Sequence, residues 1–438
     1  MSESLPLIAP TSTDSIWKHT VKTAHTVLLS SKVNLLLLFV PLGIVAGEYG
    51  LSSSTVFSLN FFAIVPLASL LAFATEELGE SLNNNSLAGL LNATFGNAVE
   101  VIVSIIALRQ GQVRVVQASM LGSILSNLLL VLGTCFIVGG LKFKVQHFNQ
   151  TAAQTMGSLL GMAVMGLMLP AAFHLSMNGE DGEGEKLLEL SRGTSIVLLI
   201  VYCFYMVFQL KTHEYLFSDG DEDNNLSLNG ADDLEAIANG SEDFETYAPN
   251  GTGPSSPHLR GGDNFIQRPK SIYDVSRNET VHLSPIGALS VLLLSTILVS
   301  LCADYLVGSI DGIVESSGLS KTFIGLIVIP IVGNAAEHVT AIYVAYKNKM
   351  DLAIGVAIGS SIQIAIFVTP LLVIIGWFMS VDMSLYFSVY ETAVIFVSVF
   401  ITNGLILDGE SNWLEGVMLA AVYGVVALSF FLMPDVAN

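Results

Sequence analysis

Charged residues are scarce in this sequence. They make up 12% of its 438 residues, whereas soluble globular proteins carry about 25%. A chain with 52% hydrophobic residues and a mean hydropathy of +0.66 would expose large apolar patches in water, so we predict an integral membrane protein. This excludes a soluble enzyme, and we expect no enzymatic activity.

Basic residues and cysteines are also few. Lys and Arg number 17 against 37 Asp and Glu, for a net charge of −20. This balance excludes a nucleic-acid partner, because phosphate backbones require a basic surface, and it favours cations as ligands. Cys135, Cys203 and Cys302 lie in apolar runs without metal-ligand spacing, so neither a disulfide framework nor a zinc site is indicated. We expect no cofactor.

Eleven apolar runs are long enough to cross a hydrocarbon layer of about 30 Å. The polar tail 1–32 before them has no apolar run typical of a cleavable signal peptide. The prediction is therefore an all-α polytopic membrane protein of eleven transmembrane helices. The predicted spans are 33–47, 55–79, 88–108, 115–139, 152–175, 194–210, 286–310, 322–345, 352–377, 384–403 and 413–433.

The basic residues predict the orientation. A cytosolic N-terminus places twelve of them in cytosolic segments and five on the opposite side, which agrees with the excess of Lys and Arg in cytosolic loops. The odd number of spans then places the C-terminus in a lumen or outside. Residues 211–283 break the apolar pattern, with ten acidic residues between Asp219 and Glu245, and are interpreted as an acidic cytosolic linker, disordered or partly helical.

The sequence contains an internal repeat at an offset of 237 residues. This offset aligns the segment 91–100, which ends Gly-Asn-Ala-Val-Glu, with 328–337, which ends Gly-Asn-Ala-Ala-Glu. It also aligns Gly122-Ser123 with Gly359-Ser360, where the glycines predict close helix approach.

After a first span and loop (33–54), the repeat divides the chain into two sets of five spans. The first repeat covers 55–210 and the second covers 284–438. Because five is odd, the second set enters the membrane from the opposite side. Inverted repeats of this kind are typical of secondary transporters that open a central site alternately to each side.

Glu100 and Glu337 lie in the middle of spans 3 and 8, where an unpaired carboxylate is costly. Asn97 and Asn334 precede them by three residues and so share their helix faces. Gly96 and Gly333 loosen each helix, so that backbone carbonyls can also point inward. Together the two halves can supply the six or more oxygen ligands that Ca²⁺ prefers, and two carboxylates neutralise one divalent cation. We predict that the ion and proton ligands are contributed by Glu100, Glu337, Asn97, Asn334, Gly96 and Gly333.

A second polar pair occurs in each half. Ser123 and Ser126 in span 4, and Ser360 and Gln363 in span 9, lie at i and i+3 on one helix face. They are predicted to extend the ion site, although interhelical hydrogen bonding also explains them. Asn127 has an apolar counterpart in the second half and is a weaker candidate.

Other ionisable residues are candidates for an entrance or a proton relay. Glu76, Glu77 and Glu80 form a cluster at one end of span 2, and Asp304 lies in span 7. An ordinary helix-end cluster explains the span 2 group almost as well. His338 follows Glu337 and titrates near neutrality, so it is either a proton relay or a structural histidine.

The chemistry of buried carboxyls predicts exchange. Burial favours the protonated form, so an arriving cation must displace protons. The site binds either one divalent cation or protons, and it rarely changes the side to which it is open while it is empty. Cation transport in one direction is therefore coupled to proton transport in the other.

The paired Gly-Asn-Ala motifs resemble the repeat signature of the calcium/proton exchangers of vacuolar membranes, within the cation/calcium exchanger superfamily. Further matches are Ala74-Thr75-Glu76-Glu77, 122–127 and 359–364, and the similarity covers all eleven spans. The acidic linker departs from the family pattern because Asn and Gly interrupt it. The resemblance implies loading of cytosolic Ca²⁺ into an acidic vacuole in exchange for H⁺, from the vacuolar membrane.

Three alternatives remain open. The same mechanism could serve Mn²⁺ or Mg²⁺, because oxygen ligands select poorly among hard cations. A cation channel would also line its pathway with carboxylates. A membrane scaffold without transport would leave the two buried glutamates unexplained. The sequence does not determine the oligomeric state.

Overall fold

The computed structural model describes residues 32–82, 85–177, 182–217 and 283–434. Nearly all of the N-terminal tail and of the acidic linker lies outside these ranges. The described helices, numbered in chain order, are α1 (Val33–Glu48), α2 (Ser53–Ser81), α3 (Asn85–Phe95), α4 (Ala98–Arg109), α5 (Val113–Lys142), α6 (Gln150–Met177), α7 (Glu183–Thr212), α8 (Pro285–Ser317), α9 (Lys321–Gly333), α10 (Ala335–Tyr346), α11 (Met350–Phe378), α12 (Val389–Leu405) and α13 (Trp413–Leu432).

The structure confirms a helical membrane protein. Within the described ranges, seven helices are long and apolar enough to cross a membrane, and the bent pair α9 and α10 makes an eighth if it is one span. α1 and α12 are shorter apolar helices. One β-sheet departs from the all-α prediction, since β1 (Gln146–His147) pairs antiparallel with β2 (Glu410–Ser411).

Local sequence signals determine where several helices begin. Ser52 caps α2 by accepting the N–H of Thr55, and Ser284 caps α8 by accepting the N–H of Gly287. α12 begins with a capping box between Ser388 and Glu391. These side chains satisfy backbone donors that a helix start leaves without intrahelical partners.

Two predicted boundaries are wrong. Span 10 was expected from residue 384, but the helix begins at Val389. Residues 381–388, here called the strap, are not helical, and they alternate between buried side chains (Met383, Leu385 and Phe387) and more exposed ones. The sequence predicts helix for residues 384–388 because they are mostly apolar, whereas the alternation of buried and exposed side chains has the period of two of an extended chain.

The predicted start of span 6 is also wrong. Residue 194 is the predicted start, but α7 begins at Glu183, because the first turns of this helix are polar and carry no hydropathy signal.

Four helices contain a single π-helical turn. The turns in α5 (Ser126–Val131) and α11 (Ile364–Val368) begin three residues after Ser123 and four residues after Ser360, respectively. The others are Phe208–Thr212 in α7 and Ile324–Val328 in α9. A π turn inserts one residue, so it rotates all later side chains around the helix axis.

Helix α5 packs closely against α9 at Gly122. A Cβ on Gly122 would lie 2.0 Å from the backbone oxygen of Leu326, so no side chain fits there. The prediction of close helix approach is therefore right for Gly122. It is wrong for its repeat counterpart Gly359, around which a Cβ would meet nothing within 4 Å, because the space beside α11 is open at that point.

Candidate ion-binding site

Two helix breaks place the two intramembrane glutamates. Gly96 and Asn97 separate α3 from α4, and Asn334 separates α9 from α10 with a bend of 56°. Glu100 and Glu337 then lie in the first turn of α4 and α10. The N-terminus of a helix carries a partial positive charge, which stabilises a carboxylate inside the membrane. Both motifs therefore coincide with a helix break, and the inward orientation of their backbone carbonyls stays a prediction.

The amide of Asn97 joins the two halves of the chain. Its Nδ2 donates a hydrogen bond of 2.6 Å to Oε1 of Gln363. The Ser360 hydroxyl lies 3.1 Å from Oδ1 of Asn97 and 3.0 Å from Oε1 of Glu337. Because a hydroxyl has one proton, Ser360 donates to one of these oxygens at a time. The polar residues of α11 therefore connect the first break to the carboxylate of the second.

Asn127 belongs to the same network, although the sequence made it a weak candidate. Its Nδ2 donates a hydrogen bond of 3.0 Å to the Ser360 hydroxyl, and its side chain is fully buried. Asn127 is the second residue of the π turn in α5. The i and i+3 argument assumed a regular α-helix, and the π turn changes which side chains face the site.

The Glu100 carboxylate lies against the second break. Its Oε1 would be 2.8 Å from a Cβ on Gly333, so only glycine leaves room for it in this position. Glu100 also lines a cleft together with Ser119, Ser123 and apolar side chains that include Phe61 and Leu306. The second half of the chain therefore contributes to the surroundings of the first-half glutamate.

The site contains buried oxygen atoms without hydrogen-bond partners. Neither Glu100 nor Glu337 forms an ion pair with a basic residue in the described ranges. Buried acceptors without donors are costly, and a cation or a proton would satisfy them. The unpartnered oxygens are Oγ of Ser123, Oγ of Ser126, Oδ1 of Asn127, Oδ1 of Asn334 and Oε2 of Glu337.

Amide and hydroxyl oxygens make up most of the candidate ligand atoms for a cation. The described residues contain no group of three or more His, Cys, Asp or Glu side chains able to hold a metal ion. Asn334 makes one long hydrogen bond, from Nδ2 to the backbone oxygen of Ser123 at 3.4 Å. Ser126 lies beside the hydroxyl of Tyr423 on α13, a buried tyrosine that the sequence analysis missed, since nothing in its local pattern distinguishes it.

The structure gives other surroundings to the residues expected at an entrance or a relay. Oε2 of Glu77 accepts the N–H of Leu283 at 2.7 Å, just before α8, and Glu76 and Glu80 are half-buried on α2. Oδ1 of Asp304 accepts Nε2 of Gln110 at 2.9 Å. The His338 imidazole lies beside the backbone of Asn334. Their roles in ion entry or proton transfer stay predictions.

Comparison with known proteins identifies the family. The family described as sodium/calcium exchanger protein matches residues 52–211 and 287–432. The chain is 46% identical to the vacuolar calcium ion transporter of Schizosaccharomyces pombe, covering 95% of this chain and 88% of that protein. It is 40% identical to the Ca²⁺/H⁺ antiporter of Aphanothece halophytica, covering 92% and 96%.

A solved structure supports the same assignment. The Ca²⁺/H⁺ antiporter protein YfkE is 31% identical, with a TM-score of 0.66 and coverage of 95% of this chain and 100% of that one. These matches confirm the resemblance stated from the repeat motifs. This chain belongs to the sodium/calcium exchanger protein family.

Proposed function

We propose that this protein is a Ca²⁺/H⁺ antiporter of the vacuolar membrane, which loads cytosolic Ca²⁺ into an acidic lumen. The observation that carries the proposal is the pair Glu100 and Glu337, each in the first turn of a broken helix, without a basic partner in the described ranges and surrounded by unpartnered oxygens. Relatives named as vacuolar calcium transporters and Ca²⁺/H⁺ antiporters support the ion, the driving force and the membrane.

The same oxygens serve Ca²⁺ and protons in turn. With Ca²⁺ bound, the two carboxylates balance its charge, and Asn97, Asn334, Ser123, Ser126, Ser360 and Gln363 supply neutral oxygens or position those that do. With Ca²⁺ released, the carboxylates bind protons, because bare charges are costly in this environment. A carrier that crosses only in these two loaded forms exchanges Ca²⁺ for H⁺.

The proposal includes eleven spans, with an N-terminal helix followed by two inverted repeats of five. Three structural parallels support it. Each half has a broken helix with a glutamate in the turn after the break. Each half has a π turn that begins three or four residues after Ser123 or Ser360. The 381–388 strap aligns with residues 144–151 at the 237-residue offset, and the buried Met383 and Leu385 correspond to the buried Gln146 and Phe148.

The orientation, with a cytosolic N-terminus and a luminal C-terminus, is proposed from the distribution of basic residues. Lys347 and Lys186 are exposed and are assigned to opposite sides of the membrane. In a variant without native cysteines, a membrane-impermeant maleimide applied to intact vacuoles is expected to label Lys347→Cys and to leave Lys186→Cys unlabelled. Labelling of Lys186→Cys alone would invert the topology.

The function is tested with purified protein in liposomes that are acidic inside. We expect Ca²⁺ uptake that requires the proton gradient and stops when an ionophore collapses it. Mn²⁺ and Mg²⁺ as competitors rank the selectivity, and a preference for either would change the assigned substrate. Uptake that is indifferent to the gradient would contradict antiport and indicate a channel.

A further inference from the structure

An ion pair with a fully buried carboxylate lies outside the proposed ion site, at the start of the helix that carries Ser123 and Asn127. Nη2 of Arg114, in the first turn of α5, lies 2.5 Å from Oε1 of Glu391, in the first turn of α12. The Glu391 side chain is 0% exposed and that of Arg114 is 31% exposed. Apolar side chains often stabilise such a position as well as an ion pair does, so its presence calls for a reason beyond stability.

Glu391 is held rigidly on its other side. Its Oε2 accepts the N–H of Ser388 at 2.8 Å, and its own N–H donates to the Ser388 hydroxyl at 3.3 Å. The strap before Ser388 is anchored by its buried Met383, Leu385 and Phe387. A carboxylate fixed by a capping box and an anchored strap therefore presents a defined position to the Arg114 guanidinium.

A second hydrogen bond repeats this attachment on the same helix. Nε2 of Gln117 donates to the backbone oxygen of Ser384 in the strap at 3.0 Å. Arg114 and Gln117 are three residues apart and so lie on one face of α5. Two attachments on one face fix the rotation of α5 about its axis as well as its position.

The attached face lies opposite the face that meets the ion site. Ser123 follows Arg114 by nine residues, which is about two and a half turns and about 14 Å along a regular helix. Ser119 and Ser123 line the cleft beside Glu100. A rotation of α5 at Arg114 would therefore turn Ser119 and Ser123 away from the Glu100 carboxylate.

We propose that Arg114 and Glu391 are positioning residues for the exchange reaction, which set the rotation of α5 so that its serines and Asn127 face the two carboxylates. The proposal rests on the proposed function, because it concerns the same site. It assigns a role in cation binding to two residues that do not touch the ion.

The test is the dependence of proton-driven uptake on Ca²⁺ concentration in proteoliposomes. Arg114→Gln and Glu391→Gln are expected to raise the half-saturating Ca²⁺ concentration about tenfold, equivalent to about 1.4 kcal/mol of binding, with a maximal rate within about twofold of wild type. Arg114→Lys should recover part of the affinity, because it keeps the charge but not the planar guanidinium. Glu410→Gln, which breaks the exposed pair with His147, is the matched control and should leave the affinity unchanged.

Gln117→Met is the variant least prone to misfolding, because it removes only the hydrogen bonds from Gln117 to Ser384 and leaves no charge unpaired. It should raise the half-saturating concentration in the same direction by a smaller factor. Unchanged half-saturation in the folded Arg114, Gln117 and Glu391 variants, or a loss of rate in proportion to folded protein alone, would overturn the proposal. Wild-type protein in the same assay separates the two proposals, because absence of gradient-driven uptake there contradicts the function itself.

Discussion

Asn97 and Gln363 are separated by 266 residues in the chain, yet Nδ2 of the first lies 2.6 Å from Oε1 of the second. This hydrogen bond joins the break between α3 and α4 to the end of the regular part of α11. It aligns Oδ1 of Asn97 with the Ser360 hydroxyl, which also reaches Glu337. The two halves therefore form one polar network, and a change in either half is expected to alter ion binding by the whole site.

Glu100→Gln and Glu337→Gln are each expected to reduce Ca²⁺ uptake to background while the protein still folds. Each variant keeps the shape of the side chain but removes one of the two negative charges that balance Ca²⁺ and one proton site. Uptake rates in proteoliposomes, compared with the amount of monodisperse protein in detergent, measure the effect.

The exposed Glu315 on α8 supplies the control for these variants. Glu315→Gln makes the same chemical change away from the network and should transport at the wild-type rate. Substantial proton-driven uptake by either Glu100→Gln or Glu337→Gln would contradict the assignment of the two carboxylates as carriers.

Gly333→Ala is expected to impair transport with little effect on stability. Its Cβ would lie 2.8 Å from Oε1 of Glu100, so the carboxylate must move away from the second break. Alanine is otherwise favourable in a helix. Gly355→Ala on α11, where a Cβ meets nothing within 4 Å, is the control, and equal uptake rates for the two variants would show that the Glu100 position is not critical.

Gly122→Ala and Gly359→Ala test the asymmetry of the two halves. The first places a Cβ 2.0 Å from the backbone oxygen of Leu326, and the second meets nothing within 4 Å. Overpacking costs about 1–3 kcal/mol, so we expect Gly122→Ala to lower the melting temperature in detergent and Gly359→Ala to leave it unchanged. Similar melting temperatures would mean that α5 and α9 are less closely packed than described.

Asn127→Ile replaces a network residue by the type found at its repeat counterpart, Ile364. The substitution removes the hydrogen bond to Ser360 and one unpartnered oxygen. We expect the half-saturating Ca²⁺ concentration to rise about tenfold, since a lost buried hydrogen bond costs about 1 kcal/mol or more. Asn403→Ile, which removes a hydrogen bond to Gly157 on α6, serves as the control for stability, and equal Ca²⁺ affinities in these two variants would remove Asn127 from the site.

The main features of the site were predictable from the sequence because they depend on composition and periodicity. Scarce charge in a long apolar chain requires a membrane, and each intramembrane glutamate in such a chain requires a partner or a function. The repeat at an offset of 237 residues then predicts that Glu100 and Glu337 act in one site. The glycine beside each asparagine marks the place where each helix is broken in the structure.

Tertiary packing decided which neutral residues surround the two glutamates and where the strap lies, because these features depend on contacts between residues that are distant in the chain. No local pattern distinguishes Asn127 or Tyr423, since a π turn follows from packing and changes which side chains face the site. The sequence predicts helix for residues 384–388 of the strap, because contacts with other helices rather than a local signal hold the buried residues of the strap in extended form. The sequence by itself thus determined which residues carry charge into the membrane, and only the fold decided which neutral oxygens surround them and how α5 is held in place.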